Sequence, residues 1–132
     1  MHFDRRNEVR RTKRVLLAQE DLPLRRLLSL TLRLDGFEVV EAVGAGEILD
    51  FVFRRREDVD LIVAEGRGPL ASGFEVIVAL RHTRREIPVI LVGDDLAEDA
   101  EMAAHRFRVR LLRKPLDLEE LRLAAARLLD AR

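Results

Sequence analysis

Four polar groups stand directly after short apolar runs in this chain. Gln19-Glu20-Asp21 follows 15–18, Glu65 follows 61–64, Gly93-Asp94-Asp95 follows 88–92, and Arg113-Lys114-Pro115 follows 109–112. Runs of that length and apolarity read as strands buried on both faces of a parallel sheet. In such sheets ligands and chemistry gather outside the carboxyl ends of the strands. Bringing the first, third and fifth of these ends together would set two or three carboxylates beside one ammonium. Carboxylates so placed can hold a divalent cation such as Mg²⁺ through oxygen ligands, with Glu20 and Glu65 as the weak candidate metal ligands. A compact, movable Lys charge suits a phosphoryl group or a carboxylate. Of the 24 Lys and Arg residues only Lys13 and Lys114 are Lys. Arg is therefore the default base here, and a retained Lys114 is expected to pair directly with Glu65.

The elements that must position these groups alternate along the chain. Strands are predicted near 15–18, 37–41, 60–64, 88–92 and 109–112. Helices are predicted at 23–35, 45–56 and about 73–83, then from Asp95 and from Asp117. The first helix carries Leu24, Leu27, Leu28, Leu32 and Leu34 as a broad apolar stripe, and Gly36 can end it. Ser72-x-x-Glu75, Asp95-x-x-Glu98 and Asp117-x-x-Glu120 are capping-box signals for the last three helices. Five βα units with short connections imply right-handed crossovers and a doubly wound α/β sheet with helices on both faces. Residues 1–13 read as a basic N-terminal extension and 14–132 as one domain.

Composition narrows the function. With 24 acidic and 24 basic residues the formal net charge is zero, so neither a nucleic-acid nor a membrane partner is expected. No cysteine is present, which excludes disulfides and thiolate chemistry. No apolar run approaches the ~20 residues that cross a bilayer, and the N-terminus lacks a signal-peptide core, so a cytoplasmic location is expected. Val43-Gly44-Ala45-Gly46 suggests a dinucleotide loop but follows the wrong strand, and Leu49 holds its third glycine position. His2, His82 and His105 have no paired ligand spacing and read as surface residues.

The order of these motifs resembles a response-regulator receiver domain of two-component signalling, over residues 14–131. Arg14-Val-Leu-Leu-Ala-Gln-Glu-Asp21 resembles the opening strand with its acidic pair, and Gly36 to Ala42 the second strand. Asp60 to Val76 resembles the phosphoacceptor strand with its loop and helix, Ile87 to Val92 the fourth strand, and Arg113 to Leu121 the Lys-Pro turn and last helix. The resemblance implies a CheY-like, flavodoxin-like (βα)5 fold with five parallel strands in the order 2-1-3-4-5. It also implies a switch in which a histidine kinase phosphorylates an Asp ending strand three, with Mg²⁺ bound beside it.

Matched position by position, this chain departs from that chemistry. Gln19 and Glu20 match the acidic pair, Glu65 the phosphoacceptor, Gly93 and Leu111 the switching hydroxyl and aromatic, and Lys114 the phosphate-binding Lys. The extra methylene of Glu displaces a carboxylate by ~1 Å, enough to cost about 100-fold in reactivity. A lost anionic ligand and a lost hydroxyl each remove ~1–3 kcal/mol. The expected function is an atypical, non-enzymatic pseudo-receiver that acts in phosphorelay signalling by protein–protein contact, without a cofactor beyond weak Mg²⁺. A Lys-Pro turn with a cis peptide also accounts for Lys114. By resemblance, a homodimer or output contact is expected on the fourth helix, fifth strand and fifth helix, with His105, Arg106, Arg108 and Arg110. With the last helix ending at Arg132, output would pass to a separate protein unless the chain is part of a longer one. The alternatives are a working phosphoacceptor receiver and a flavodoxin-like small-ligand binder.

Overall fold

The computed structural model describes residues 12–66, 73–83, 86–94 and 108–130. The strands are β1 (Arg14–Ala18), β2 (Glu38–Ala42), β3 (Leu61–Glu65), β4 (Val89–Gly93) and β5 (Val109–Arg113). All neighbours pair in parallel, in the order β2-β1-β3-β4-β5. The alternation of apolar runs and helical stripes predicts these five strands, with ends shifted by about one residue, and their order is the one the family resemblance implies.

Successive strand residues face opposite ways, so each apolar strand feeds two cores. Leu16, Ile62, Ala64, Val89 and Leu91 pack with Ile48, Phe51 and Val52 and with Val76, Ile77 and Leu80. Those helical residues lie on α2 (Ala45–Leu49), its continuation Asp50–Arg54, and α3 (Gly73–Arg81). On the other face Val15, Leu17, Leu61, Val63, Ile90, Val92 and Leu112 meet α1 (Leu22–Leu34) and α4 (Leu118–Asp130).

Local chemistry explains where these helices begin and end. Asp21 caps α1, its side chain accepting from the Leu24 N–H at 3.3 Å, and Pro23 occupies the first turn. Gly36 follows α1 at φ +94°, a left-handed conformation that glycine adopts without strain. The second helix, predicted as a single α-helix over 45–56, changes at Asp50 into a π turn closed by the Arg55 N–H on the Asp50 carbonyl. The wider turn accommodates consecutive buried residues, Phe51 and Val52.

The apolar stripe of α1 is narrower than predicted. Leu28 and Leu32 are fully buried and Leu24 is half-buried, but Leu27 and Leu34 face solvent. The helix lies over the sheet on one side only, so five leucines exceed what that side can cover. The predicted helix at Asp95, the capping residue Ser72 and residues 1–11 of the N-terminal extension lie outside the described residues. Among the described residues, no helix is long and apolar enough to cross a membrane.

Candidate functional site

The parallel register delivers three polar side chains to one edge of the sheet. Glu65 is the last residue of β3, Gln19 follows β1 and Lys114 follows β5. The Lys114 ammonium lies 2.8 Å from Glu65 Oε1. The Gln19 side-chain amide donates to that same oxygen at 2.5 Å. One carboxylate oxygen thus accepts a cation and an amide together, a charge-assisted pair with a neutral second donor. The pair is partly shielded from water, with Lys114 31% and Glu65 19% exposed in their side chains.

Gln19 is held from several directions and is buried. Its Oε1 accepts the Asp21 N–H at 3.0 Å, and its own N–H donates to the Ala42 carbonyl at 3.0 Å. Its carbonyl accepts from the Arg25 guanidinium at 2.8 Å. Arg25 in turn reaches Glu41 of β2 at 3.2 Å, so α1, β1 and β2 are tied together beneath the site. The amide of Gln19 therefore has one orientation that satisfies both of its ends, nitrogen toward Glu65 and oxygen toward Asp21.

The other walls are backbone. The Lys114 N–H donates to the Gly93 carbonyl at 3.2 Å, and the Lys114–Pro115 peptide is cis, as a Lys-Pro turn allows. The Gly66 N–H donates to the Val92 carbonyl at 2.8 Å. Gly93 is buried at the end of β4 and offers no side chain to the site. Leu111 is half-buried on β5, beside Leu91, and packs against the core.

Three of the predicted site residues, Gln19, Glu65 and Lys114, are brought into direct contact. Glu20 is exposed and makes no hydrogen bond or ion pair among the described residues. Asp94 is exposed, His82 is exposed, and Asp95, His2, His105 and Arg106 lie outside the described residues. Arg108 donates to the Leu128 carbonyl at the end of α4, and Arg110 is exposed on β5. No group of three or more His, Cys, Asp or Glu side chains that could hold a metal ion occurs among the described residues. Sequence reasoning read Gln19 as a lost charge and missed it as a donor, because donation depends on where β1 and β3 place the two side chains. Arg25 was missed entirely. Arg25 stands three residues before Leu28 and seven before Leu32, on the inward face, but its charge reads as that of a surface residue.

A sequence-family model described as the response regulator receiver domain matches residues 15–126. The transcriptional regulatory protein PrrA of Mycobacterium tuberculosis is 34% identical over 113 residues, covering 82% of this chain and 46% of that protein. The transcriptional regulatory protein GlrR of Escherichia coli is 31% identical over 108 residues, covering 81% of this chain and 24% of that protein. The chain thus spans half or less of the length of these curated relatives. Among solved structures, a response regulator receiver domain protein from Clostridium thermocellum superimposes with a TM-score of 0.79 at 20% identity, covering 89% of this chain and 94% of that one. A sensor protein from Polaromonas sp. JS666 gives a TM-score of 0.75 at 26% identity, covering 89% and 96%.

Proposed function

This chain belongs to the response regulator receiver family of two-component signalling, and we propose that within it the domain signals by protein contact without accepting a phosphoryl group. The single observation that carries this reading is the double occupation of Glu65 Oε1 by Lys114 and Gln19. An acyl phosphate forms when a carboxylate oxygen attacks phosphorus and the donor's leaving group departs. Here one of the two carboxylate oxygens is engaged by a cation and an amide. The amide stands where the family resemblance calls for an anionic metal ligand.

The remaining residues support the same reading. Mg²⁺ prefers near-octahedral oxygen coordination with at least one or two carboxylates. Glu65 is engaged through one oxygen, Gln19 is neutral with its oxygen turned to Asp21, and Glu20 is exposed. This donor set does not fit the ion. Gly93 has no side-chain hydroxyl to bond a transferred group, and Leu111 has no polar tip to report one. We therefore place Glu65 and Lys114 as a fixed internal ion pair that holds one conformation.

Incubation with a small phosphodonor and Mg²⁺, followed by intact mass, tests the proposal. The expected result is an unmodified chain. A stoichiometric, alkali-labile phosphate adduct on the unaltered protein would overturn it. The transcriptional role in the names of PrrA and GlrR is theirs; for this chain the output is proposed to be a contact with another protein.

A further inference from the structure

Six polar residues form one connected line along the carboxyl-terminal edge of the sheet. Lys114 meets Glu65 Oε1 at 2.8 Å, and the Gln19 amide donates to that oxygen at 2.5 Å. The Gln19 carbonyl accepts from Arg25 at 2.8 Å, and Arg25 Nε donates to Glu41 Oε1 at 3.2 Å. Arg33 lies 3.7 Å from the other Glu41 oxygen and donates to the Val39 carbonyl at 3.1 Å. The line begins beside β5, crosses the ends of β3 and β1, and finishes on β2, an edge strand.

Arg25 is the joint of this line. Its side chain is 16% exposed, against 31% for Glu41 and 53% for Arg33. The planar guanidinium holds two acceptors at once, Nη1 on the Gln19 carbonyl and Nε on Glu41. That carbonyl belongs to the same residue whose amide reaches Glu65, so displacing Arg25 displaces the amide. In the other direction the line stops. Lys114 reaches Glu65 on a flexible four-carbon stem, which can follow the carboxylate without moving β5. Gly93 has no side chain, and Leu111 is apolar and packed against the core.

We propose that Arg25 is a positioning residue that couples the Glu65–Lys114 pair to the edge strand β2. A change of charge at Glu65 is then felt at Glu41 and not along β4 and β5. The coupling rests on the internal ion pair proposed above and adds the direction in which its state is passed on. Shielded hydrogen-bonded networks with defined geometry carry such coupling, whereas flexible exposed groups absorb it. Coupling of this kind is reciprocal, so a partner that engages Glu41 or Arg33 at the β2 edge alters the Glu65–Lys114 pair by the same factor.

The test is urea unfolding of Glu65→Gln, Glu41→Gln and the double variant of the full chain, with the cycle repeated on Arg25→Met. β1 stands between the strands that carry the two acids, and substitutions that share no partner add. The folding constant of the double variant is expected to depart from the product of the single effects by about threefold or more. In the Arg25→Met background that departure should vanish. Direct repulsion between the two carboxylates, or an Arg25 that merely supports the fold, would leave it in place. Amide hydrogen exchange reads the direction: Glu65→Gln should change protection in β2 by about threefold or more and in Val109 to Leu112 by less than about twofold. If Arg25→Met does not fold, Arg25→Lys, which keeps the charge but lacks the fork that spans both acceptors, takes its place. Additive effects in the parent, a departure that survives loss of Arg25, or a larger protection change in β5 than in β2 would each overturn the proposal. These readouts do not depend on whether Glu65 accepts a phosphoryl group, which intact mass reports separately.

Discussion

The carbonyl oxygen of Glu65 lies where a side chain on Gly73 would begin, 2.5 Å from the position of a Cβ built on that glycine. The methyl of Ala64 and a methyl of Leu91 close the same space. The first residue of α3 therefore presses directly on the end of the strand that carries the candidate site. Leu91 could rotate away, but the Glu65 carbonyl is backbone and cannot.

Gly73→Ala should consequently be destabilising, although alanine is the better helix former by about 1 kcal/mol. Overpacking against backbone costs on the order of 1–3 kcal/mol, which outweighs that gain. Urea denaturation should show a lower midpoint with an unchanged slope. A variant as stable as the parent would mean that α3 is not seated on β3 as described.

Much of this architecture was legible because strands buried on both faces leave little choice. Leu61 to Ala64 reads as a strand buried on both faces and the other strands follow from their own apolar runs, while their order across the sheet came from the family resemblance. The Glu65–Lys114 pairing was legible too, since one of only two lysines among the arginines follows a strand that a parallel sheet brings toward the third. Features that depend on the angle between elements were not. Leu27 and Leu34 read as core because periodicity counts leucines without showing how much of a helix the sheet can cover. The π turn at Asp50 leaves the period of the second helix unchanged until Phe51 and Val52 are both seen to be buried.

Asp35 and Arg122 illustrate the same limit across 87 residues of sequence. Arg122 on α4 makes a forked contact with Asp35 at the end of α1, with Nε and Nη2 at 2.9–3.2 Å from its oxygens. The hydrogen bonds from Arg122 hold the Asp35 carboxyl below its ordinary value of 3.8, and the same bonds raise the guanidinium. A carboxyl with a lowered folded pKa stabilises the fold above its unfolded value, and the contribution is lost as pH falls through the folded one. Asp35→Asn should therefore flatten the acid limb of a Tm-against-pH curve and leave its shape near neutrality unchanged. Because the pair is at the surface, the effect should be small and should shrink with salt. Parallel acid limbs for the two proteins would remove Arg122 as the cause.

Ser29 presents the reverse case. It is 2% exposed on the buried side of α1, and its hydroxyl has no hydrogen-bond partner among the described residues. Replacing an unsatisfied buried hydroxyl removes a desolvation cost, and alanine also has the higher helix propensity. Ser29→Ala should raise stability by about 1 kcal/mol in urea denaturation. A loss of stability would show that the hydroxyl is satisfied in solution, for instance by a bound water.

The three residues at the sheet edge allow the internal pair to be weighed against its alternatives. Glu65→Gln keeps the shape and the Gln19 contact but removes the charge that Lys114 faces; Lys114→Met removes the cation and leaves the carboxylate with the Gln19 amide. If the ion pair is real, each single change destabilises and the double change costs less than the sum of the two. For a pair shielded to this degree the coupling should be about 1 kcal/mol, at the upper end of what exposed pairs give. Gln19→Ala should cost more than either, because it frees the Asp21 N–H as well as Glu65 and opens space in a buried position. Additive singles would mean that Lys114 is kept for its turn with Pro115 alone, and the pairing would then carry no part of how this domain holds its shape.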